Sequence, residues 1–455
     1  MFKVNELLSA TKGRLISGKN TTLVKGVSID SRTIKAQQAF VAIKGGKFDG
    51  HNFVDEAIKK GARAVIVQSP SQRVSKSPEK VSFIEVKDTI RALGDIAGFQ
   101  RQNFDIPVIA VTGSNGKTTT KEMIAWVLCK KFKVLKNIGT NNNQIGLPLT
   151  MLNLNDSYDI AVLEVGTNHP GEIEYLARIC QPNIGVITNI GPSHLEYLAD
   201  LEGVFREKSA LTRYLKNPRI AILNADDGLL KRRIPKKNIK PLIFGFGIRN
   251  RSDFIATDIK ILNGKIKFLV NHKYRFTLKT LGYFNIYNAL AALSVARLFG
   301  MEYRDIASRL STFNFPQNRL EFLELNNIKF INDTYNSNPV SLEQAIEALD
   351  NFRVRGRKIF VMGDMLELGS RKELFHRQAG RKAAQIFDVF ITVGELSQFA
   401  AEAARASGFN TKNIFTCASN LKARDILFNK VSPGPDDIVL VKGSRAMRMD
   451  EILKK

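Results

Sequence analysis

Apolar residues along this chain gather into short, largely β-branched runs, each followed by a stretch whose apolar positions recur at helical spacing. Ile106 to Val111 predicts a buried strand and Lys117 to Phe132 an amphipathic helix. The alternation continues through a strand at Asp159 to Val165, a helix at Gly171 to Cys180, a strand at Ile184 to Ile190, a helix at Leu201 to Leu215 and a strand at Arg219 to Leu223. Such an order predicts a parallel sheet with both faces covered. Residues 242–280 read instead as an antiparallel meander with Asn263-Gly264 as a hairpin turn, followed by a helix at Ile286 to Phe299.

Ahead of Pro107 lies a first unit with strands around Val27, Ala39 to Ile43 and Ala64 to Val67, closed by a helix from Asp88 to Asn103. Beyond Phe315 a second alternating pattern has strands at Ile328 to Asn332, Lys358 to Met362, Val389 to Val393, Ile414 to Cys417 and Ile438 to Val441. The fold expected is α/β in three domains, a number that suits 455 residues. These are a small α/β domain over 1–104, a central parallel-sheet domain with a β insertion over 105–314, and a Rossmann-like doubly wound domain over 315–455. There is no internal repeat and no low-complexity segment.

Composition narrows the classes. No apolar run reaches transmembrane length and the N-terminus has no signal-peptide core, so a cytoplasmic protein is expected. Cys129, Cys180 and Cys417 are odd in number and widely spaced, which argues for core packing in a reducing compartment rather than for disulfides or a metal centre. The net charge of +25 invites a nucleic-acid reading. The basic residues are scattered, however, and the clusters Lys231 to Lys240 and Arg353 to Lys358 carry no interleaved aromatics for stacking on bases. Small anionic molecules are the partners that fit, and a monomer is the expected state.

The clearest chemistry lies in Val-Thr-Gly-Ser-Asn-Gly-Lys-Thr-Thr-Thr, residues 111–120, between the strand at Ile106 and the helix at Lys117. Gly113 and Gly116 permit a tight turn in which the N–H groups of Ser114, Asn115 and Thr119 and the helix N-terminus face phosphate oxygens. Lys117 would reach the terminal phosphates and the Thr118 hydroxyl a magnesium ion. The usual spacing asks for glycine where Val111 stands, so this is a shorter variant of the loop. Glu164 ends the next predicted strand, well placed to hold the metal. His169 and His194 follow strand ends in loops. Lys208, taken alone, reads as one more exposed helix lysine.

Loop, Glu164, His194 and Lys208 occur in an order that resembles the Mur ligase family, ATP-dependent enzymes that add amino acids or a dipeptide to a UDP-linked peptidoglycan precursor. The resemblance spans the whole chain. Its most selective stretches are Asn-Asn-Gln-Ile-Gly-Leu-Pro-Leu-Thr (142–150), Asn-His-Pro-Gly-Glu-Ile (168–173), Asn-Asp-Thr-Tyr-Asn-Ser-Asn-Pro (332–339), Met-Gly-Asp-Met-Leu-Glu-Leu-Gly (362–369) and Lys-Gly-Ser-Arg-Ala-Met-Arg-Met (442–449). They resemble the members that join D-alanyl-D-alanine to UDP-N-acetylmuramoyl-tripeptide. By resemblance, Lys117 and Thr118 grip ATP and Mg2+, Glu164 and His194 complete the metal's ligands, and Lys208 becomes a carbamate. A carbamate forms only from a neutral amine, so Lys208 must be desolvated. Asn285 corresponds to the family's adenine-reading asparagine, with Phe284 where relatives often carry histidine. Arg319 and Asp333 correspond to third-domain residues that reach the nucleotide. Tyr335, Asn336 and Asn338, with the Asp364 loop and Asn142 and Asn143, are candidates for the peptide substrates. Ser31 and Arg32, with the Lys44 to His51 loop, are candidates for the UDP end, which makes 1–104 the precursor-binding domain.

Two rivals lack their marks. The Asp-Asn-Pro-Arg motif of the diaminopimelate-adding relatives is absent, Lys216-Asn-Pro-Arg219 being only superficially like it. No Asn-Lys-x-Asp guanine reader is present either.

Overall fold

The structure is a computed structural model that describes residues 1–46, 48–68, 80–233, 241–262, 264–350 and 352–454. Asn263 of the expected hairpin, residue 47 of the Lys44 to His51 loop and residues 234–240 of a basic cluster lie outside the described residues.

A nine-stranded sheet occupies the middle of the chain, with Val108–Thr112 held in parallel between Ile160–Glu164 and Ile184–Ile187. Every residue of Val108–Thr112 and Ile160–Glu164 is buried, which is why those segments read as continuous apolar runs without alternation. From Val108–Thr112 the chain moves outward to Val134–Lys136, returns to Ile160–Glu164, and then crosses to Ile184–Ile187 and Ile220–Asn224 on the other side. Val108–Thr112 therefore stands at the switch point, where parallel sheets open a crevice beyond their carboxyl ends.

The meander expected over 242–280 is corrected in its first strand. Leu242–Gly247 pairs in parallel with Ile220–Asn224, because the chain reaches it through a crossover that includes the helix Gly228–Arg233. Only Phe254–Leu262, Lys265–Val270 and Tyr274–Leu278 pair antiparallel to one another, and they extend the main sheet rather than forming a separate insertion. Behind the sheet runs the helix Asn285–Leu298, almost wholly buried. Its small residues Ala289, Ala292 and Ala296 let it lie close to the phosphate-loop helix Lys117–Leu128 in the same core.

The last third carries a six-stranded sheet in the order Glu321–Leu325, Ile328–Asp333, Ile438–Lys442, Lys358–Gly363, Val389–Val393, Ile414–Cys417, parallel except at the first strand. Glu321–Leu325 was not anticipated. Asp333 and Lys442 face each other in register at two carboxyl ends. In the first third, Val27–Ser28, Ala39–Val41, Ala64–Val67 and Ser82–Glu85 run parallel, with Arg14–Ser17 antiparallel at one edge. The closing helix Thr89–Gln102 starts where the Asp88 carboxylate accepts the N–H groups of Ile90 and Arg91. It buries Leu93 and Ile96 on its own sheet and Ala97 among residues of the central sheet. Arg101 Nε then donates to the Cys180 carbonyl at 3.1 Å, fixing the first unit to the second.

Among the described residues no helix is long and apolar enough to cross a membrane. Cys180 and Cys417 are buried, as core packing requires, but Cys129 ends a helix and is exposed.

Candidate active site

The turn from Thr112 into the helix Lys117–Leu128 has Gly113 at φ +145° and Gly116 at φ +79°, a region that side chains avoid. Space reinforces the choice: a Cβ at Gly113 would sit 2.0 Å from Thr188 Oγ1, and one at Gly116 2.4 Å from Asn288 Oδ1. The loop is tied to the neighbouring strand end by Ser114 N to Asn189 O (2.9 Å), Asn115 N to Asn189 Oδ1 (3.0 Å) and Ser114 Oγ to Gly191 O (2.9 Å). Lys117 Nζ turns back to donate to the Gly113 carbonyl at 2.8 Å. Burial pushes its pKa down, against the pull of the nearby Glu164 carboxylate. Asn115 Nδ2 is buried with no hydrogen-bond partner, a donor left for a ligand.

Glu164 lies in register with Val111, at the carboxyl end of its strand and only 1% exposed. Asn142 Nδ2 donates to its Oε1 at 2.7 Å, while Oε2 is buried without a partner. An orphaned carboxylate oxygen facing a phosphate loop is the donor a hard cation takes. Lys208 is 1% exposed, which overturns its reading as an exposed helix lysine. It makes no hydrogen bond or ion pair with any described residue, for the adjacent Glu207 is spent on the N–H groups of Gly171 and Ile173 and on Thr167. Burial first, and the charge of Lys117 second, hold the Lys208 pKa well below the ordinary lysine range. That shift is in the direction of the neutral amine that carbamylation needs. Burial pushes the His194 pKa down, against its hydrogen bond to the Glu367 carboxylate, which would raise it. Among the described residues no group of three or more His, Cys, Asp and Glu gathers.

The C-terminal sheet closes the site from the other side. Arg319 donates to Thr118 Oγ1 at 2.9 Å and lies 3.8 Å over the Tyr335 ring. Asn338 Nδ2 reaches Asn115 Oδ1 at 2.8 Å, and His194 Nδ1 stands 2.5 Å from Glu367 Oε2. Asp333 accepts from Lys442 Nζ at 2.5 Å. Between them lies a cavity of about 250 Å³ lined by the loop, Glu164, His194, Asn285, Arg319 and Asp333, among others.

Three family profiles match the chain: the Mur ligase family catalytic domain at residues 23–101, the Mur ligase middle domain at 111–296, and the Mur ligase glutamate ligase domain at 318–445. A UDP-N-acetylmuramoyl-tripeptide--D-alanyl-D-alanine ligase from Bacillus subtilis is 35% identical, covering 99% of this chain and 97% of its own length. The chain belongs to the Mur ligase family. The Mur ligase of the same description from Escherichia coli is 33% identical over 99% of this chain and 97% of its own. MurF from Acinetobacter baumannii superposes with a TM-score of 0.89 at 32% identity, over 99% and 98% of the two chains. MurF from Thermotoga maritima in complex with ADP does so at 0.82 and 28%, over 95% and 96%.

In this Mur ligase the cavity gathers Ser114, Asn115, Gly116, Lys117, Thr118, Thr119, Asn142, Glu164, His194, Asn285, Arg319, Asp333, Tyr335, Asn336 and Asn338, and with them Phe284. Asn285 already has its amide engaged, donating to Thr280 Oγ1 and accepting from Asn288 Nδ2, each at 2.9 Å. Other candidates stand outside the lining. Asn143 accepts the Ile145 and Gly146 N–H groups and so starts a helix. His169 is exposed and packs on the Tyr197 ring. Asp364 is buried, holding the Ser397 N–H. Ser31 donates to Glu56 and Arg32 pairs with Asp30, both in the turn that follows Val27–Ser28 and outside the cavity lining.

Sequence reasoning assigned no role to Lys442, Glu367 or Asn288. Lys442 and Glu367 sit inside quoted motifs, Lys442 at a strand's carboxyl end, which was a usable signal. Asn288, one turn beyond Asn285 and accepting from Thr120 Oγ1 at 3.1 Å, becomes meaningful only once the two helices are seen to touch.

Proposed function

We propose that this chain is an ATP-dependent ligase that joins D-alanyl-D-alanine to UDP-N-acetylmuramoyl-tripeptide in the cytoplasmic synthesis of a bacterial peptidoglycan precursor. The observation that carries this reading is one cavity in which a phosphate loop, a partnerless carboxylate oxygen and the strand ends of the C-terminal sheet converge, in a chain alike end to end to ligases of that description. We divide the labour as 1–104 for the UDP end of the precursor, through Ser31 and Arg32, 105–314 for ATP, and 315–455 for the incoming dipeptide and for closure. One chain supplies every residue assigned, so a monomer suffices.

ATP enters with its phosphates on the loop N–H groups and Lys117, and its adenine at Asn285. Lys117 and Arg319 balance the charge of the γ-phosphoryl group as it passes to the terminal carboxylate of the tripeptide, leaving ADP and an acyl phosphate. The dipeptide amine, held near Tyr335, Asn336 and Asn338, attacks the acyl carbon; the amide bond forms, inorganic phosphate leaves and the amine sheds its proton. Closure of the C-terminal sheet over the cavity excludes water, which would otherwise hydrolyse the acyl phosphate. Thr118, Glu164, His194 and a Lys208 carbamate would hold Mg2+, which supplies positive charge to the phosphate oxygens. An imidazole is an unusual ligand for that ion, and the oxygen donors carry most of the fit.

The test is phosphate release from ATP and magnesium with UDP-N-acetylmuramoyl-tripeptide and D-alanyl-D-alanine, given singly and together. Release that requires both, with a pentapeptide product, is the expected result. Release with a single amino acid and a shorter precursor would move the chain to another step, and activation only by nucleic acid would overturn the reading.

A further inference from the structure

His194 and Glu367 are separated by 173 positions and lie in loops that follow strands of different sheets, yet His194 Nδ1 and Glu367 Oε2 are 2.5 Å apart. Two further contacts join the same loops. Glu196 N donates to the Glu367 carbonyl at 3.3 Å, and Gly369, at φ +58°, sits so close that a Cβ there would be 3.5 Å from Glu196 Cα. His194 at φ +53° and Glu367 at φ +61° both occupy the left-handed region without being glycine. Such backbones are unfavourable and persist where their surroundings over-determine them. Here the two unfavourable backbones point their side chains at each other.

The chemistry of the pair is one-sided. An ionised carboxylate only accepts, so the shared proton resides on Nδ1 and Nε2 keeps its lone pair. His194 lines the cavity, while Glu367 does not. We propose that Glu367 is a positioning residue, brought by the C-terminal sheet only when the two halves of the site meet, that fixes His194 in the tautomer whose free Nε2 serves the phosphate-binding cavity. The proposal rests on the ligase reading for what Nε2 serves, but its central claim concerns the imidazole alone. It gives domain closure a consequence beyond excluding water: the histidine is correctly set only in the closed arrangement.

The experiment is 15N NMR of imidazole nitrogens in the full chain with ADP, comparing wild type, Glu367→Gln and Glu367→Ala. The chain has 5 histidines, and the His194 signal is assigned by its loss in His194→Gln. Wild type is expected to show His194 with its proton on Nδ1. Glu367→Gln, whose amide oxygen can still accept, should retain it; Glu367→Ala should shift His194 to the Nε2–H form. In parallel, kcat should fall by about 10–100-fold in Glu367→Ala, the usual cost of losing the partner that orients a ligating histidine, with KM for the UDP precursor unchanged and most of kcat regained in Glu367→Gln. An Nε2–H tautomer in wild type, or an unchanged tautomer and full kcat in Glu367→Ala, would overturn the proposal. Because the tautomer is read without turnover, failure of the ligase assay in wild type would count against the function and leave this test standing.

Discussion

Burying a charge without a partner is costly, and that cost pushes the pKa of Lys208, which has no hydrogen-bond or ion-pair partner among the described residues, well below the ordinary lysine range. Supplying 13C-bicarbonate should give a carbamate carbonyl resonance in wild type that is missing in Lys208→Met, with turnover in the variant down by at least about 10–100-fold. A Lys208→Met enzyme with full activity would remove this residue from the site. Asp437 poses the opposite electrostatic case. Burial pushes its pKa up, but Arg357 and the N–H groups of Gly434 and Arg357 outweigh it and leave the carboxyl below its ordinary value. Its folded pKa lies below its unfolded one, so its contribution is present above about 3.9 and is lost as pH falls through the folded value. Asp437→Ala should cost about 1–3 kcal/mol at pH 7. That cost, read from urea unfolding, should shrink as the pH drops below 4; a constant difference would mean that the ionised form contributes nothing.

At the scale of elements, the phosphate-loop helix and the helix Asn285–Leu298 form one device. Gly116 is the contact point, for a Cβ there would strike Asn288 Oδ1, the atom that accepts from Thr120 and belongs to the side chain that donates to Asn285. Gly116→Ala should cost about 1–3 kcal/mol in strain and weaken ATP binding. Calorimetric titration with ATP beside thermal unfolding checks this, and unaltered ATP affinity would show that the asparagine chain does not reach the nucleotide. Both helices were legible in the sequence, because long apolar spacing and a glycine loop are local signals. What was not legible depends on partners distant in the chain. Leu242–Gly247 has the composition of a strand in either direction, and only its return through a helical crossover makes it parallel. Glu321–Leu325 alternates between half-buried and exposed, so an edge strand carries little apolar signal. Lys208, by contrast, falls in the row of Val204, Phe205 and Leu211 on the buried face of its helix, so helical spacing was a usable signal that reading it as one more charged residue passed over.

For the molecule as a whole, the site exists only between sheets: Arg319 on Thr118, Asn338 on Asn115 and Glu367 on His194 are all contacts between the central and C-terminal sheets. Binding the substrates therefore has two electrostatic parts that salt separates. The net charge of +25 acts at long range on anionic ATP and UDP precursor, and at about 0.15 M ionic strength exposed charges more than about 8 Å apart are largely screened. The buried groups proposed to balance the transferring phosphoryl, such as Lys117, line the cavity and are screened far less. Raising sodium chloride from 0.02 to about 0.2 M should then lower kcat/KM for both anionic substrates several-fold while kcat stays nearly constant. The uncharged-overall dipeptide serves as the internal control, since its KM should not move. A parallel fall in kcat would mean that salt reaches the chemistry itself, and hence that the central and C-terminal sheets do not seal the cavity during turnover.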